Sequence, residues 1–97
     1  MNIHDLLALY DLEERILAQP TGMRREETSF VVRHVPLEPR SGYRDGFISY
    51  SHLTEQEVMP AIDQQVRFFA SLGLDFEWKV YSHDTPSDLR QRLAAQG

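Results

Sequence analysis

Residues 75–89, DFEWKVYSHDTPSDL, hold most of the side chains in this sequence whose types could do chemistry. His83 and Asp84 together have the composition of an acid–base pair. Adjacent side chains diverge along an extended chain, however, and rarely orient one another as a catalytic dyad requires. We therefore interpret Asp84 as a turn or cap residue whose carboxylate accepts hydrogen bonds from nearby backbone amides.

The four histidines do not have the spacing of a metal site. None of them forms an H-x-H or H-x-x-x-H pair, so folding would have to assemble a site, for example from His34 and His52 on two paired strands. The absence of cysteine excludes disulfides and thiolate chemistry. No serine is matched to a base by spacing. We predict no catalytic residue and no metal ligand.

A candidate cofactor loop lies at residues 19–24, QPTGMR, which partly resembles the Q/R-x-x-G-x-G/A loop that wraps acyl-CoA pyrophosphate in acetyltransferases. Arg24 stands where a small residue must let the backbone approach the phosphates. The segment also follows a predicted helix, whereas the real loop links a strand to a helix. We reject it and predict no cofactor-binding residue in this chain.

Three polar residues share one face of a predicted strand in FEWKVY, residues 76–81. Alternation places Glu77, Lys79 and Tyr81 on that face and the apolar residues on the other. Glu77 and Lys79 form either a salt-bridged polar layer or part of a recognition surface. Tyr81 could line a cleft with Tyr43 and Tyr50, although three tyrosines in a small domain need no ligand to explain them.

Three helices are predicted to position these groups. Asn2 caps the first helix, and Thr54 and Glu57 have the spacing of a capping box before the second. Gly73 ends the second helix in a left-handed conformation, and Pro86 takes the first position of the third. The side chains predicted to be buried in the second and third helices are Val58, Ile62, Val66, Phe69, Leu72, Leu89, Leu93 and Ala94.

Alternation and β-branched residues predict strands at residues 28–35, 46–53 and 76–81. In the first of them Phe30 and Val32 are expected on one face. The loop of residues 36–45 is longer than most hairpin connections, which indicates mobility or function. The order α-β-β-α-β-α predicts a single α+β domain over residues 1–97, with a three-stranded, mostly antiparallel sheet packed by helices.

The bulk properties predict a soluble, cytoplasmic protein. The chain has 97 residues, 41% of them hydrophobic, and a net charge of −5. That charge gives no basic surface for nucleic acid or for an anionic membrane. No apolar run approaches the roughly 20 residues that span a bilayer. The N-terminus lacks the basic region of a secretory signal.

The chain from residue 47 onward resembles the N-terminal half-domain of a bacterial branch of the GNAT (Gcn5-related N-acetyltransferase) superfamily. The matching features are FISYSHL, the segment from Gln65 to Phe69, Gly73, and FEWKVYSHDTPSDLRQRLAAQG. The resemblance implies that a catalytic domain with its acetyl-CoA loop follows downstream, so acetyl-CoA is the cofactor of the parent protein and not of this chain. Gly97 agrees with a cut from a longer chain, because a C′ glycine is normally followed by an apolar residue.

The same resemblance singles out five positions beside the end of the third strand as substrate or interface candidates: Glu77, Lys79, Tyr81, His83 and Asp84. The leading hypothesis is a non-catalytic N-terminal portion that packs on the catalytic domain. One alternative is a stand-alone interaction or regulatory module that binds a protein through its sheet edge or through residues 36–45. Another is a small complete enzyme that uses His83 and Asp84. Self-association through the sheet edge or an exposed apolar patch is a further expectation.

Overall fold

The computed structural model describes residues 2–37 and 45–96. Residues 38–44, with Tyr43 and most of the predicted loop, lie outside the described residues, as does Gly97. The elements in chain order are helix α1 (Ile3–Tyr10), a π-helical segment (Asp11–Ile16), strands β1 (Met23–Glu27), β2 (Val31–Pro36) and β3 (Asp45–Ser51), helix α2 (Glu55–Ser71), strand β4 (Asp75–Trp78) and helix α3 (Leu89–Ala94).

The strands form one mixed sheet in the order β1-β2-β3-β4. The pairs β1–β2 and β2–β3 are antiparallel, and β4 runs parallel to β3. The predicted α+β class is confirmed, but the sheet has four strands where three were expected. Strand β1 reads MRREE and carries no β-branched residue, so its sequence gives no strand signal. The strand forms by antiparallel pairing with β2, to which the ion pair between Glu26 and Arg33 adds.

The residues predicted to cap helix α2 do so at both of its ends. The Thr54 amide donates to the Glu57 carboxylate at 3.0 Å. Gly73 has φ +68°, and the Leu74 amide donates to Phe69 O at 3.0 Å, which closes the C-terminus as a Schellman motif. The helix continues through Pro60, which lies near its N-terminus.

The core lies between the sheet and the helices α2 and α3. Phe69 packs with Val31, Val35 and Ile48, and a second cluster joins α2 to Leu89 of α3. The predicted burial of three residues is wrong. Val66 and Leu72 are 43% and 46% exposed, and Ala94 is also exposed. The inward positions of α2 are taken instead by Ala61 and Gln65, because the sheet covers a narrower stripe of the helix than the apolar pattern suggests.

The segment after β4 differs from the prediction. Helix α3 begins at Leu89, and Pro86 lies in the preceding turn, where its carbonyl accepts from the Leu89 amide at 3.0 Å. Phe30 also lies on the α2 side, packing against both core clusters, whereas it was expected to share a face with Val32. Phe30 precedes β2, so strand alternation does not apply to it.

The opposite face of the sheet is covered by the π-helical segment. Arg25 of β1 donates to the Ile16 carbonyl at 2.7 Å, and Arg15 reaches β3. The sheet therefore lies between two helical layers. Within residues 2–37 and 45–96, no helix combines the length and the apolar character that crossing a membrane requires.

Gly46 is buried under the ring of Phe69. A Cβ added there would clash with that ring and would lie 2.8 Å from the His34 carbonyl oxygen. We expect Gly46→Ala to lower the free energy of unfolding by about 1–3 kcal/mol, because this part of the core has no spare volume. Urea denaturation of the wild type, Gly46→Ala, Phe69→Leu and the double variant measures it. Phe69→Leu should relieve part of the clash, so strictly additive losses would contradict the packing argument.

Candidate functional site

Arg15 is the most buried charged residue of the described chain, with 1% of its surface exposed. Its guanidinium forms a bidentate pair with Asp84, with Nη1–Oδ1 and Nη2–Oδ2 distances of 2.7 Å. Nη1 also donates to Asp11 at 3.0 Å, Nε to the Ser49 carbonyl at 2.8 Å, and Nη2 to the Lys79 carbonyl at 3.4 Å. All five N–H groups of the guanidinium are therefore used inside the protein.

A β-bulge in β3 brings the strand to Arg15. Val32 pairs with Tyr50 and Arg33 with Ile48, so Ser49 is an extra residue without a cross-strand partner. The extra residue lets Ser49 and Tyr50 both face the π-helical segment. The Ser49 hydroxyl donates to the Arg15 carbonyl at 2.7 Å, which joins the two backbones a second time.

Asp84 has the turn role that the sequence predicts and a second role that it does not. Its Oδ2 accepts from the Tyr81 amide at 3.0 Å, which confirms the turn interpretation. The same carboxylate is paired with Arg15, 69 positions earlier in the chain. His83 points elsewhere: its Nε2 lies 2.9 Å from both carboxylate oxygens of Asp11. The adjacent His83 and Asp84 thus bind different partners, and they do not form a dyad.

Tyrosine rings enclose the guanidinium on two sides. The Arg15 Cζ lies 4.0 Å from the ring centroid of Tyr81 and 5.2 Å from that of Tyr50. Tyr10 contacts Tyr81 edge to face, with the two hydroxyls 3.3 Å apart. Burial, and next the negative charge of Asp11, raise the pKa of Tyr50 above its ordinary value, so this phenol is neutral at pH 7. The enclosure favours a cation held in place over a reactive tyrosinate.

A serine and a histidine lie in hydrogen-bond contact, although no spacing in the sequence suggested it. His34 Nε2 is 2.9 Å from the Ser49 hydroxyl. Because that hydroxyl donates to Arg15 O, it accepts from His34, which places the imidazole proton on Nε2. His34 and Ser49 are 0% and 4% exposed, and Nδ1 has no partner in the described part of the chain. A buried pair whose base has no orienting group cannot meet a substrate, so we assign it a structural role.

The two histidines suggested as a metal pair do not meet. His34 stacks on Phe47, and the His52 Nδ1 lies 3.4 Å from the Thr85 hydroxyl beyond the end of β3. Among the residues that the structure describes, no three histidine or acidic side chains converge as a metal site would require.

A shallow cleft of about 510 Å³ lies beside β4. It brings together three of the five candidate residues, Glu77, Lys79 and Tyr81, with Arg90 of α3. The Lys79 Nζ lies 4.7 Å from the ring centroid of Phe47. Glu77 and Lys79 are exposed side by side on the same face, which fits a recognition surface more closely than a salt-bridged polar layer.

The other two candidates, His83 and Asp84, belong to the Arg15 network on the far side of Tyr81. Sequence reasoning missed Arg15, Asp11 and Ser49, and it considered His34 only as a possible metal ligand. Arg15 lies among acidic residues in a helix, where it looks like a solvated charge, and only its contact 69 positions away distinguishes it. The position of Ser49 beside Arg15 depends on the β-bulge, which the local sequence pattern does not reveal.

Comparisons of the chain with protein-family models, with curated proteins and with solved structures found no match.

Removing the Arg15 charge should destabilise the fold strongly. We expect Arg15→Met to lower the free energy of unfolding by about 3–5 kcal/mol, since it leaves Asp84 buried without its cation. Arg67→Met is the matched control, because the Arg67–Asp63 pair is 80% and 61% exposed and should be worth less than about 1 kcal/mol. Urea denaturation at pH 7 compares them, and equal losses in the two variants would contradict the assignment.

His34 should make the protein less stable in acid. Burial, and next the positive charges of Arg25 and Lys79, lower its pKa from 6.5. As the pH falls below 6.5, the unfolded chain takes up this proton before the folded one, so the free energy of unfolding decreases. Urea denaturation at pH 7.5, 6.5 and 5.5 measures the slope. His34→Gln should flatten it, whereas exposed His4→Gln should not; identical slopes in all three proteins would refute the role of His34.

Proposed function

We propose that this chain is the N-terminal, non-catalytic portion of a bacterial, cytoplasmic GNAT-like acetyltransferase. In this proposal it packs on the catalytic domain and helps to shape the acceptor site, and the acetyl-CoA belongs to the catalytic domain. The resemblance of residues 47–97 supplies the identity of the partner domain.

The observation that carries the packing role is the exposed apolar surface of the first helical segments. Helix α1 has no buried residue. Between 42% and 61% of the surface is exposed for each of Ile3, Leu6, Leu9, Tyr10, Leu12 and Leu17. A contiguous group of this kind is usually covered in the working protein. A partner domain would cover it, while Arg15 fixes the far end of the segment to the sheet.

The strand-to-helix connections support the non-catalytic part of the proposal. Residues 52–54 link β3 to α2 and residues 79–88 link β4 to α3, and neither contains glycine. Leu53 is buried in the first connection, where its amide donates to Thr85 O at 3.4 Å. A backbone that cradles pyrophosphate needs glycines and free amides. The glycine of residues 19–24, Gly22, lies in a turn before β1, and its carbonyl accepts from Leu37.

The burial of the titratable groups also supports a non-catalytic role. Arg15, Asp84 and His34 are engaged within the protein and shielded from solvent, so none of them is available to move a proton on a substrate. The exposed candidates Glu77 and Lys79 and the half-buried Tyr81 can contact an acceptor molecule at the edge of a neighbouring site without doing its chemistry.

Titration calorimetry tests whether this chain, without the proposed catalytic domain, binds acetyl-CoA. We expect the 97-residue chain to give no binding heat with acetyl-CoA at millimolar ligand, because it offers no phosphate cradle. Binding with a dissociation constant in the micromolar range would contradict the proposal. ADP serves as the control for non-specific phosphate binding.

The coding sequence beyond Gly97 gives an independent test. A Q/R-x-x-G-x-G/A motif between a predicted strand and a predicted helix would support the proposal, and a stop codon after Gly97 would refute it.

A stand-alone interaction module is the second candidate, and one observation favours it. Strand β4 is the last strand of the sheet, and among the described residues no strand pairs with its outer edge, which could accept a strand of another chain.

A further inference from the structure

Strand β4 and the two residues after it present outward-pointing backbone groups in a defined pattern. The Lys79 amide donates to Ile48 O at 3.0 Å, so the backbone groups of Glu77 and Lys79 point toward β3. By alternation, the amides and carbonyls of Phe76, Trp78 and Val80 point away from the sheet. Because β4 ends the sheet order, these groups have no neighbouring strand in the described chain.

The two edges of the sheet differ in how they resist pairing. Strand β1 carries four consecutive charges, Arg24 to Glu27, and charged side chains are a common protection of an edge. Strand β4 alternates exposed charged residues with the half-buried Phe76 and Trp78. Beside it lies an apolar groove of about 830 Å³, lined on its other sides by residues of α2 and α3. The β4 edge is thus the one suited to accept a strand.

We propose that the chain forms a two-fold dimer in which β4 pairs antiparallel with β4 of a second copy. The two four-stranded sheets then become one continuous sheet across the dimer. This inference does not depend on the proposed function.

The charges of β4 select one register for this pairing. Residues whose backbone groups point outward must face one another, so the symmetric choices place Trp78 opposite Phe76, Trp78 or Val80 of the other copy. With Trp78 opposite Phe76, Glu77 faces Glu77. With Trp78 opposite Val80, Lys79 faces Lys79.

With Trp78 opposite Trp78, each Glu77 faces a Lys79. Opposite charges directly across a strand pair attract and like charges repel, so this register is favoured over the other two. It is also the one in which the two tryptophan backbones exchange a pair of hydrogen bonds at the dyad.

The side chains on the other face fit the same register. Phe76, Trp78 and Val80 point toward the α2 and α3 layer, where they border the two core clusters. Pairing joins the rows of the two copies into one apolar strip over the dyad. At each end of the strip Arg90 Nη2 donates to Val80 O at 2.7 Å, and that carbonyl keeps a second lone pair for the incoming amide.

Sedimentation equilibrium of the 97-residue chain and of charge-reversal variants tests the dimer. Glu77→Lys and Lys79→Glu each turn two attractive contacts into repulsive ones, so each should weaken dimerisation on the order of tenfold or more. The double variant restores both contacts with reversed polarity and should recover affinity close to that of the wild type. Glu13→Lys, at an exposed position away from β4, controls for the change in net charge and should leave the dissociation constant unchanged.

Three outcomes would overturn the proposal. The first is a wild-type chain that stays monomeric at millimolar concentration. The second is a double variant as weak as the single ones. The third is a dimer that is insensitive to the β4 charges but lost in Leu6→Ser, which would place the contact on α1. Circular dichroism melting of each variant separates loss of pairing from loss of folding, and Trp78, the sole tryptophan, reports burial at the dyad by its emission maximum.

Discussion

The ion pair between Arg15 and Asp84 is the interaction on which the arrangement of this fold depends. The Arg15 side chain joins three parts of the chain: the π-helical segment, the bulge of β3 and the turn after β4. The contact of His83 with Asp11 and that of the Ser49 hydroxyl with the Arg15 carbonyl reinforce the same junction. A buried charge is tolerated only when its hydrogen-bonding capacity is used, and Arg15 meets this condition with five donated hydrogen bonds. The position of the outer layer is therefore tied to these contacts, because a shift of the helical segment would break some of the five hydrogen bonds.

The two faces of the sheet are stabilised by different interactions. Toward α2 and α3, Phe69 and its neighbours exclude water and contribute by burial, which tolerates small adjustments of angle and distance. Toward the π-helical segment, Ser49, His34 and Arg15 form a polar network with little tolerance, since each group loses more by being left unpaired than it gains by being paired. The apolar face thus supplies most of the stability, and the polar face determines where the N-terminal layer lies.

The parts of this structure that the sequence predicted are those determined locally. The Glu57 cap, the Gly73 terminus and the alternation in β4 depend on residues a few positions apart, and all three agree with the structure. Strand β1 was missed because its charges become a strand only through pairing with β2. The site was half predicted: Asp84 was assigned its turn contact from its immediate neighbours, but its partner Arg15 is determined by tertiary structure alone.

The distance along the chain between Arg15 and Asp84 has a consequence for how the protein is made. Ribosomes add roughly 5–20 residues per second, so about 3–14 s separate the synthesis of these two residues, which lie 69 positions apart. Throughout that interval Arg15 has only Asp11, four positions earlier in the same segment, as an anionic partner, and nothing yet fixes the segment to the turn after β4. The nascent chain can therefore complete its antiparallel strands first, and its N-terminal layer becomes fixed only after Asp84 has been added.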